Sequence, residues 1–238
     1  MSEASVPPAA PTSAPRRSTL PAALTVLTVV SGIVDAVSYL GLGRVFAANM
    51  TGNVVVMGFA AAGAPGFSAL GSLTCLGAFL AGALCAGRLR SGVFAGRARE
   101  TWVRSVFVGE VVLLAVATAV AFAWPGGAMY ALIAVLAGAM GLRNATVRKL
   151  AVPDMTTTVL TMTLTGLASE SSLAGGADPR AGRRIVSVVA MVAGATLGAL
   201  LVLHHGLGWP LLVSTLLVAA AAAGYREPAA DAGGIRSA

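Results

Sequence analysis

Charged side chains are scarce in this sequence of 238 residues: they make up 11% of it, against roughly 25% in typical soluble domains. Aromatic residues are also few, at 5%, whereas hydrophobic residues reach 57% and the mean hydropathy is +0.85. A water-soluble fold of this length cannot bury so much apolar surface, so lipid must surround most of the chain. The composition therefore predicts a multi-spanning integral membrane protein rather than a soluble enzyme.

Cysteine and histidine are also nearly absent. The two cysteines, Cys75 and Cys85, lie in one apolar segment, which indicates packed, reduced thiols rather than a disulfide framework. The adjacent pair His204-His205 would point apart on a helix and so does not predict a metal site. The sequence contains no phosphate-binding loop, dinucleotide fingerprint, HExxH or GxSxG motif, so we expect no cofactor, no metal and no enzymatic activity.

The excess of positive charge, formally +7, does not indicate nucleic-acid binding. The arginines lie between apolar runs, as the positive-inside rule predicts for a membrane protein, and no aromatic and basic residues alternate. Residues 1–19 and 226–238 have the composition of disordered tails. Between them, a transmembrane domain of residues 20–225 contains eight apolar segments, near residues 20–40, 51–62, 67–87, 103–123, 128–142, 155–168, 185–203 and 209–223.

Two pseudo-repeats of four segments each, at about 20–124 and 127–224, are indicated by similar breaks in the apolar pattern. The run Gly32-Ile33-Val34-Asp35-Ala36 before Asn49-Met50-Thr51 resembles Gly141-Leu142-Arg143-Asn144-Ala145 before Asp154-Met155-Thr156. The segment after each break is short for a full span of about 20 residues, and the fifth segment is also short unless it continues into Arg143-Asn144-Ala145. Segments one and two, and likewise five and six, would then each cross the membrane once in total.

The arginines favour this arrangement over eight crossings. With six net crossings and a cytoplasmic N-terminus, every arginine outside the breaks falls on the cytoplasmic side. Four basic residues remain within the breaks: Arg44, Arg143, Arg148 and Lys149. We therefore predict an all-α transmembrane bundle in the cytoplasmic membrane of a bacterium, with both termini inside. Three crossings per half make the repeats inverted, a plan that recurs in secondary transporters.

Each re-entrant helix would begin inside the protein, where its unpaired N–H groups favour an anionic or polar solute. Asn49 or Thr51 would cap the first such helix and Asp154 the second. The predicted substrate-binding residues are Arg44, Asn49, Thr51, Asn53, Asn144, Asp154, Thr156 and Thr158. In the alternative interpretation, Asn49 and Asp154 only cap helices and the basic residues extend to the membrane surface.

Two carboxylates inside apolar segments, Asp35 and Glu110, are candidates for proton or ion coupling, because such groups are costly in a membrane. Asp35 could instead pair with Arg44 or Arg143 as a structural clamp, and Glu110 could lie near the headgroups. On the sixth segment Thr158, Thr161 and Thr165 share one face, where they would line a polar path or bond their own helix backbone.

Small residues at a spacing of four, Gly194 with Gly198 and Ala78 with Gly82, predict close helix packing within the chain or in a homo-oligomer. The two broken-helix motifs, together with Leu164-Thr165-Gly166, resemble those of the YoaK-like family of bacterial membrane proteins. The resemblance covers nearly the whole chain between the tails. It implies a polytopic inner-membrane protein with about six spans, and it implies no substrate.

The working hypothesis is a small-solute secondary transporter with its site between the two repeats. The alternatives are a structural or accessory membrane protein and a membrane-embedded enzyme.

Overall fold

The computed structural model describes residues 19–151, 160–177 and 180–227. In these ranges the chain forms eight α-helices, one short 3₁₀ turn at Ser172–Ala174, and no strand. The helices are α1 Leu20–Gly41, α2 Met50–Ala61, α3 Ala69–Ser91, α4 Arg99–Ala123, α5 Met129–Leu150, α6 Leu160–Ser169, α7 Ala181–His205 and α8 Gly208–Gly224. The predicted class, an all-helical polytopic membrane protein, is confirmed.

Five helices are long and apolar enough to cross a bilayer by length and composition: α1, α3, α4, α5 and α7. The 17 residues of α8 extend over about 25 Å and supply a sixth pass. By contrast, the 12 residues of α2 extend over only about 18 Å, which is well short of a hydrocarbon core of about 30 Å.

Contacts between distant parts of the chain define the two ends of the bundle. At the first end, the backbone N–H of Arg226 donates to the Thr19 hydroxyl over 2.8 Å, and Arg99 pairs with Glu227 over 3.3 Å. The start of α1, the start of α4 and the end of α8 therefore lie together. At the second end, the rings of Phe122 and Trp209 are 5.9 Å apart, which joins the end of α4 to the start of α8.

These ends determine the path of the chain. Residues 92–98 form a short connection from α3 to the start of α4, so α3 ends at the first end and starts at the second. Residues 42–68, which include α2, therefore leave the bundle and return to it at the second end. Leu207, between α7 and α8, packs on Gly41 and places the end of α7 there too. Since α5 starts at the second end, it finishes at the first, where α7 begins. Ala151 and Arg180 therefore both lie at the first end.

Helix packing has the symmetry of an inverted repeat. Helix α1 packs along α7, and α5 packs along α3; α4 contacts α5, and α8 contacts α1. The short helices follow the same rule, with α2 on α3 and α6 on α7, while α4 and α8 contact each other. If α1, α2, α3 and α4 are exchanged with α5, α6, α7 and α8 respectively, each contact named above becomes another contact named above, and the contact of α4 with α8 becomes itself.

Glycine permits the close packing of α1 along α7 and of α3 along α5. A Cβ at Gly194 of α7 would overlap the carbonyl of Val29 in α1, and a Cβ at Gly141 of α5 would overlap the carbonyl of Phe79 in α3. The small-residue motifs Gly194/Gly198 and Ala78/Gly82 are thus used inside the chain and give no support to a homo-oligomer.

One predicted boundary falls short of the observed one. We drew the fifth segment to residue 142 and left open that it continues into Arg143-Asn144-Ala145, whereas α5 continues without interruption to Leu150. The physical reason is that Arg143 has buried partners inside the bundle, so its charge does not end the helix. The first eight residues after Ala151, including the predicted start of the sixth segment, lie outside the described residues.

Candidate functional site

An ion pair lies in the middle of the bundle. Arg143 of α5 and Glu110 of α4 are both fully buried, and the Arg143 Nη2 donates to the Glu110 Oε1. The other terminal nitrogen of Arg143 donates to the Leu27 carbonyl over 2.8 Å and to the Ser31 hydroxyl over 2.9 Å, both in α1. A single side chain of α5 therefore holds α1 and α4 together.

The depth of this pair corrects one interpretation. Glu110 is the twelfth residue of α4 and Ser31 the twelfth of α1, so both lie about 16 Å along their helices from the first end. Glu110 is thus at the centre of the bundle and not beside the headgroups. Its second oxygen, Oε2, and the Arg143 Nε are buried and have no hydrogen-bond partner among the described residues.

A second polar group holds the connection between α1 and α2 (residues 42–49), which consists of turns and bends. Three consecutive backbone N–H groups there donate to side chains: Phe46 to Asn53 Oδ1 over 2.8 Å, Ala47 to the Ser38 hydroxyl over 3.0 Å, and Ala48 to Asp35 Oδ1 over 2.7 Å. Asn53 also returns a bond to the Phe46 carbonyl over 2.6 Å. We call Asp35, Ser38 and Asn53 the re-entrant clamp.

The N-terminus of α2 lies at this clamp. Asn49 is its N-cap, as predicted, and its side chain accepts from the Gly52 N–H at 3.4 Å. The backbone N–H of Asn49 also lies beside the Asp35 carboxylate. The positive end of α2, which the sequence assigned to an anionic solute, already faces a carboxylate of the protein. Asp35 is six residues from the end of α1, so this point lies about 9 Å inside the second end.

The partners of Asp35 in the structure are not the two arginines that the sequence suggested. Neither Arg44 nor Arg143 forms an ion pair with Asp35, although the Arg143 charge acts on it through space. Arg44 lies at the second end, exposed, with its guanidinium 5.7 Å from the centre of the Phe67 ring. Arg44 is not part of the central group.

The remaining predicted residues are dispersed. Thr51 is exposed in the first turn of α2, while Asn53 is fully buried in the clamp and also contacts the thiol of Cys75 at 3.3 Å. Asn144 is partly buried in α5, and its amide donates to the Met140 carbonyl of its own helix. Asp154, Thr156 and Thr158 lie outside the described residues.

The threonines of α6 give little support to a polar path. Thr161 and Thr165 are exposed, and the Thr165 hydroxyl donates to the Thr161 carbonyl, so it bonds its own helix. The buried threonine of this helix is Thr163. The two cysteines are free, with Cys75 buried and Cys85 exposed. Within the described ranges no cluster of three histidine, cysteine or acidic side chains is able to hold a metal.

Sequence reasoning missed two buried arginines. Arg143 was assigned to a break between helices. An acid and a base that both lie inside apolar segments are expected to pair, and this expectation could have connected Arg143 with Glu110. Arg184 of α7, only 2% exposed, pairs with Glu170 after α6 over 2.8 Å, with Gly166 packed against its guanidinium. No motif in the sequence singled out Arg184 or Ser38.

The fold and this polar interior define the class: a polytopic helical membrane protein built from two inverted halves. The profile of the family described as "Protein of unknown function (DUF1275)" matches residues 23–224, and the chain belongs to that family. The chain is also 34% identical, over 165 residues, to the UPF0700 transmembrane protein YoaK of Bacillus subtilis (strain 168). That match covers 68% of this chain and 70% of the relative. No solved structure matches the chain significantly.

Proposed function

We propose that this protein is a small-solute secondary transporter in which the two inverted halves alternate around the polar centre. The observation that carries the proposal is the pair of chain segments that leave and return at opposite ends of one bundle. Transporters built on inverted repeats place their substrate where such broken segments meet, and exchange access by rocking one half against the other.

Net charge argues for a polar or cationic solute. Among the described residues of the centre, Glu110 and Asp35 contribute two negative charges against the positive charge of Arg143, and Arg143 is bound to Glu110. The N-terminus of α2, which an anionic solute would use, faces Asp35. Of the anionic or polar solute expected from the sequence, a small polar solute is therefore the better candidate.

The basic residues support an orientation with the first end in the cytoplasm. The helix ends and connections at that end carry a large group of basic residues: Arg88, Arg90, Arg97, Arg99, Arg148, Lys149, Arg180, Arg183 and Arg226. Among the described residues, the second end carries only Arg44. Under the positive-inside rule this asymmetry supports an orientation in which residues 19 and 227 lie on the cytoplasmic side of a bacterial cytoplasmic membrane.

A panel of small polar solutes tests the function. Each solute is added to the purified full-length protein, its melting temperature is measured, and solutes that raise it are then followed as radiolabel in proteoliposomes. We expect at least one solute to stabilise the protein and to accumulate, and both effects to weaken in Asp35→Asn, Asn49→Ala and Asp154→Ala variants that still fold. Glu100→Gln, which removes an exposed carboxylate of α4, is the matched control and should behave as wild type.

One observation favours the accessory alternative. Asp35, Ser38 and Asn53 are engaged with the backbone of the re-entrant segment, as expected if polar residues only maintain the fold. Stabilisation by no solute in a broad panel, with no uptake, would support that alternative. Chemical turnover of a solute without net movement would instead indicate a membrane-embedded enzyme.

A further inference from the structure

We propose that Asp35 is the proton-binding carboxylate of this protein, and that Glu110 is the permanent counter-ion of Arg143. In the proposed transporter, proton binding at Asp35 would loosen the tip of the re-entrant segment and so couple a proton to its movement. The coupling rests on the proposed function, whereas the proton site itself does not. The proton comes from bulk water and forms one O–H bond, with no other bond made or broken.

Charge balance distinguishes the two carboxylates. Glu110 is fully buried and its charge is cancelled by the guanidinium that it contacts. Asp35 lies in the same interior without a paired cation. Among the described residues it is thus the one carboxylate of the centre without an ion-pair partner, and a charge of this kind in a membrane is costly until it is neutralised.

A proton fits this position better than a metal ion. Hard cations need about six oxygen ligands, and no cluster of three acidic, histidine or cysteine side chains exists among the described residues. Asp35 is also partly exposed, unlike Val34 and Ala36 on either side of it. A proton requires only this one carboxylate.

The groups that face Asp35 compensate its charge without forming an ion pair with it. The N–H groups of Ala48 and Asn49 at the start of α2 lie on its carboxylate, the Arg143 guanidinium of α5 acts on it through space, and the Cys75 thiol lies on the α3 side. Helices α2 and α8, and the apolar stretch 185–203 of α7, contain no titratable residue. On α1 itself the only other titratable side chain is Tyr39, one turn away.

The clamp converts the protonation of Asp35 into a local structural change. Of the three side chains that accept the N–H groups of Phe46, Ala47 and Ala48, the Asn53 amide and the Ser38 hydroxyl do not titrate. Only the bond from Ala48 to Asp35 has a charged acceptor, and such bonds weaken when the acceptor is neutralised. Proton binding therefore acts on the residues next to the N-terminus of α2 and leaves the other two attachments intact.

Asparagine labelling tests the proton site without any substrate. The chain has only three asparagines, so ¹⁵N-asparagine gives three backbone amide signals in the full-length protein in nanodiscs: Asn49, Asn53 and Asn144. The Asn49 N–H lies beside Asp35, while Asn53 and Asn144 are internal controls on α2 and α5. Chemical shifts are followed over the pH range in which the protein stays folded.

We expect the Asn49 amide to titrate with a single midpoint, with much smaller changes at the two control amides, and the titration to vanish in Asp35→Asn. Asp35→Glu, which keeps a carboxylate, should retain a titration with a displaced midpoint and provides the second test if Asp35→Asn does not fold. A flat Asn49 signal in the wild type would overturn the proton site while leaving the transporter proposal intact. A titrating signal without uptake of any solute would reject the transport function alone.

Discussion

Two side chains that meet in the middle of the bundle, Glu110 and Arg143, lose all their water when the helices assemble. Their attraction must offset this loss, and Ser31 and Leu27 add hydrogen bonds to the guanidinium. Removing one member of such a pair leaves an uncompensated charge, whereas removing both often costs little. The pair therefore specifies how α1, α4 and α5 fit together, whatever its net contribution to stability.

Glu110→Gln should lower the unfolding free energy by about 3–5 kcal/mol, because the Arg143 charge then remains buried without its counter-ion. The double variant Glu110→Leu with Arg143→Met should recover most of this loss. The measurement is unfolding by SDS in mixed micelles. The matched control is Glu100→Gln on the same helix, whose exposed partner Arg104 is 3.9 Å away, and it should cost less than about 1 kcal/mol. A double variant as unstable as the single one would contradict this description of the pair.

Asn53 and Asn49 offer a comparison within one helix. Asn53→Ala leaves the part-buried N–H of Phe46 without its partner and the Phe46 carbonyl with only the Cys75 thiol, which should cost about 2–3 kcal/mol. Asn49→Ala removes only an N-cap bond of 3.4 Å and should cost about 1 kcal/mol. Both are measured by the same SDS titration. Equal costs for the two variants would mean that Asn53 does not hold the re-entrant segment as described.

At this scale, the sequence predicted which polar residues take part in bonds inside the bundle better than it predicted what they contact. Asp35, Glu110, Asn49 and Asn53 stand out because polar groups are expensive within apolar runs. Their partners depend on which helix lies alongside, and nothing local in the sequence shows that Glu110 faces Arg143. The backbone acceptors of Asn53 and the donors to Asp35 are set by the path of residues 42–49, which no pattern specifies.

Helix contacts in this protein depend on the absence of side chains at a few positions. Along α1 and α7, and along α3 and α5, backbone approaches backbone at Gly32, Gly194, Gly82 and Gly141. Without water between helices, such close packing is a main source of association in a membrane. The glycines are thus expected to be as intolerant of substitution as the polar centre.

Gly194→Ala should destabilise the protein by about 1–3 kcal/mol or prevent its assembly, because the new methyl group meets the Val29 backbone and cannot be accommodated by rotating a side chain. Gly77→Ala is the matched control, since nothing lies within 4 Å of a Cβ there. Alanine favours helix over glycine, so the control should be neutral or stabilising by up to about 1 kcal/mol. Melting temperature and monodispersity on gel filtration report both variants. A tolerated Gly194→Ala would contradict the packing of α1 on α7.

The helices themselves were largely predictable, since long apolar runs between charged or proline-rich segments leave few alternatives. The expected first segment, 20–40, differs by one residue from α1, and the end of α4 is as expected. The error at α5 has a specific cause: an arginine was taken as the end of an apolar run, because its neutralising partner lies 33 residues away in another helix. Local hydropathy cannot detect such compensation.

For the whole molecule, the essential feature is that the two halves have opposite directions and exchange helices. Each half contributes its first long helix to the other half, α1 to α7 and α5 to α3, so neither half packs alone. The similar breaks in the sequence predicted only part of this arrangement. Their weak similarity indicated a repeat, but it did not indicate that the repeats interlock.

Sidedness tests this account most directly. In a background with Cys75→Ser and Cys85→Ala, single cysteines are placed at Ala62, after α2, and at Ala174, after α6, and intact cells are treated with a membrane-impermeant thiol reagent. Single cysteines at Gly127 and Ala95, in the α4–α5 and α3–α4 connections, define the two sides independently. We predict that Ala62→Cys is labelled together with Gly127→Cys, while Ala174→Cys and Ala95→Cys are protected until the cells are opened. Labelling of Ala62→Cys and Ala174→Cys on the same side would mean that α2 and α6 both cross the membrane, and the inverted architecture would be wrong.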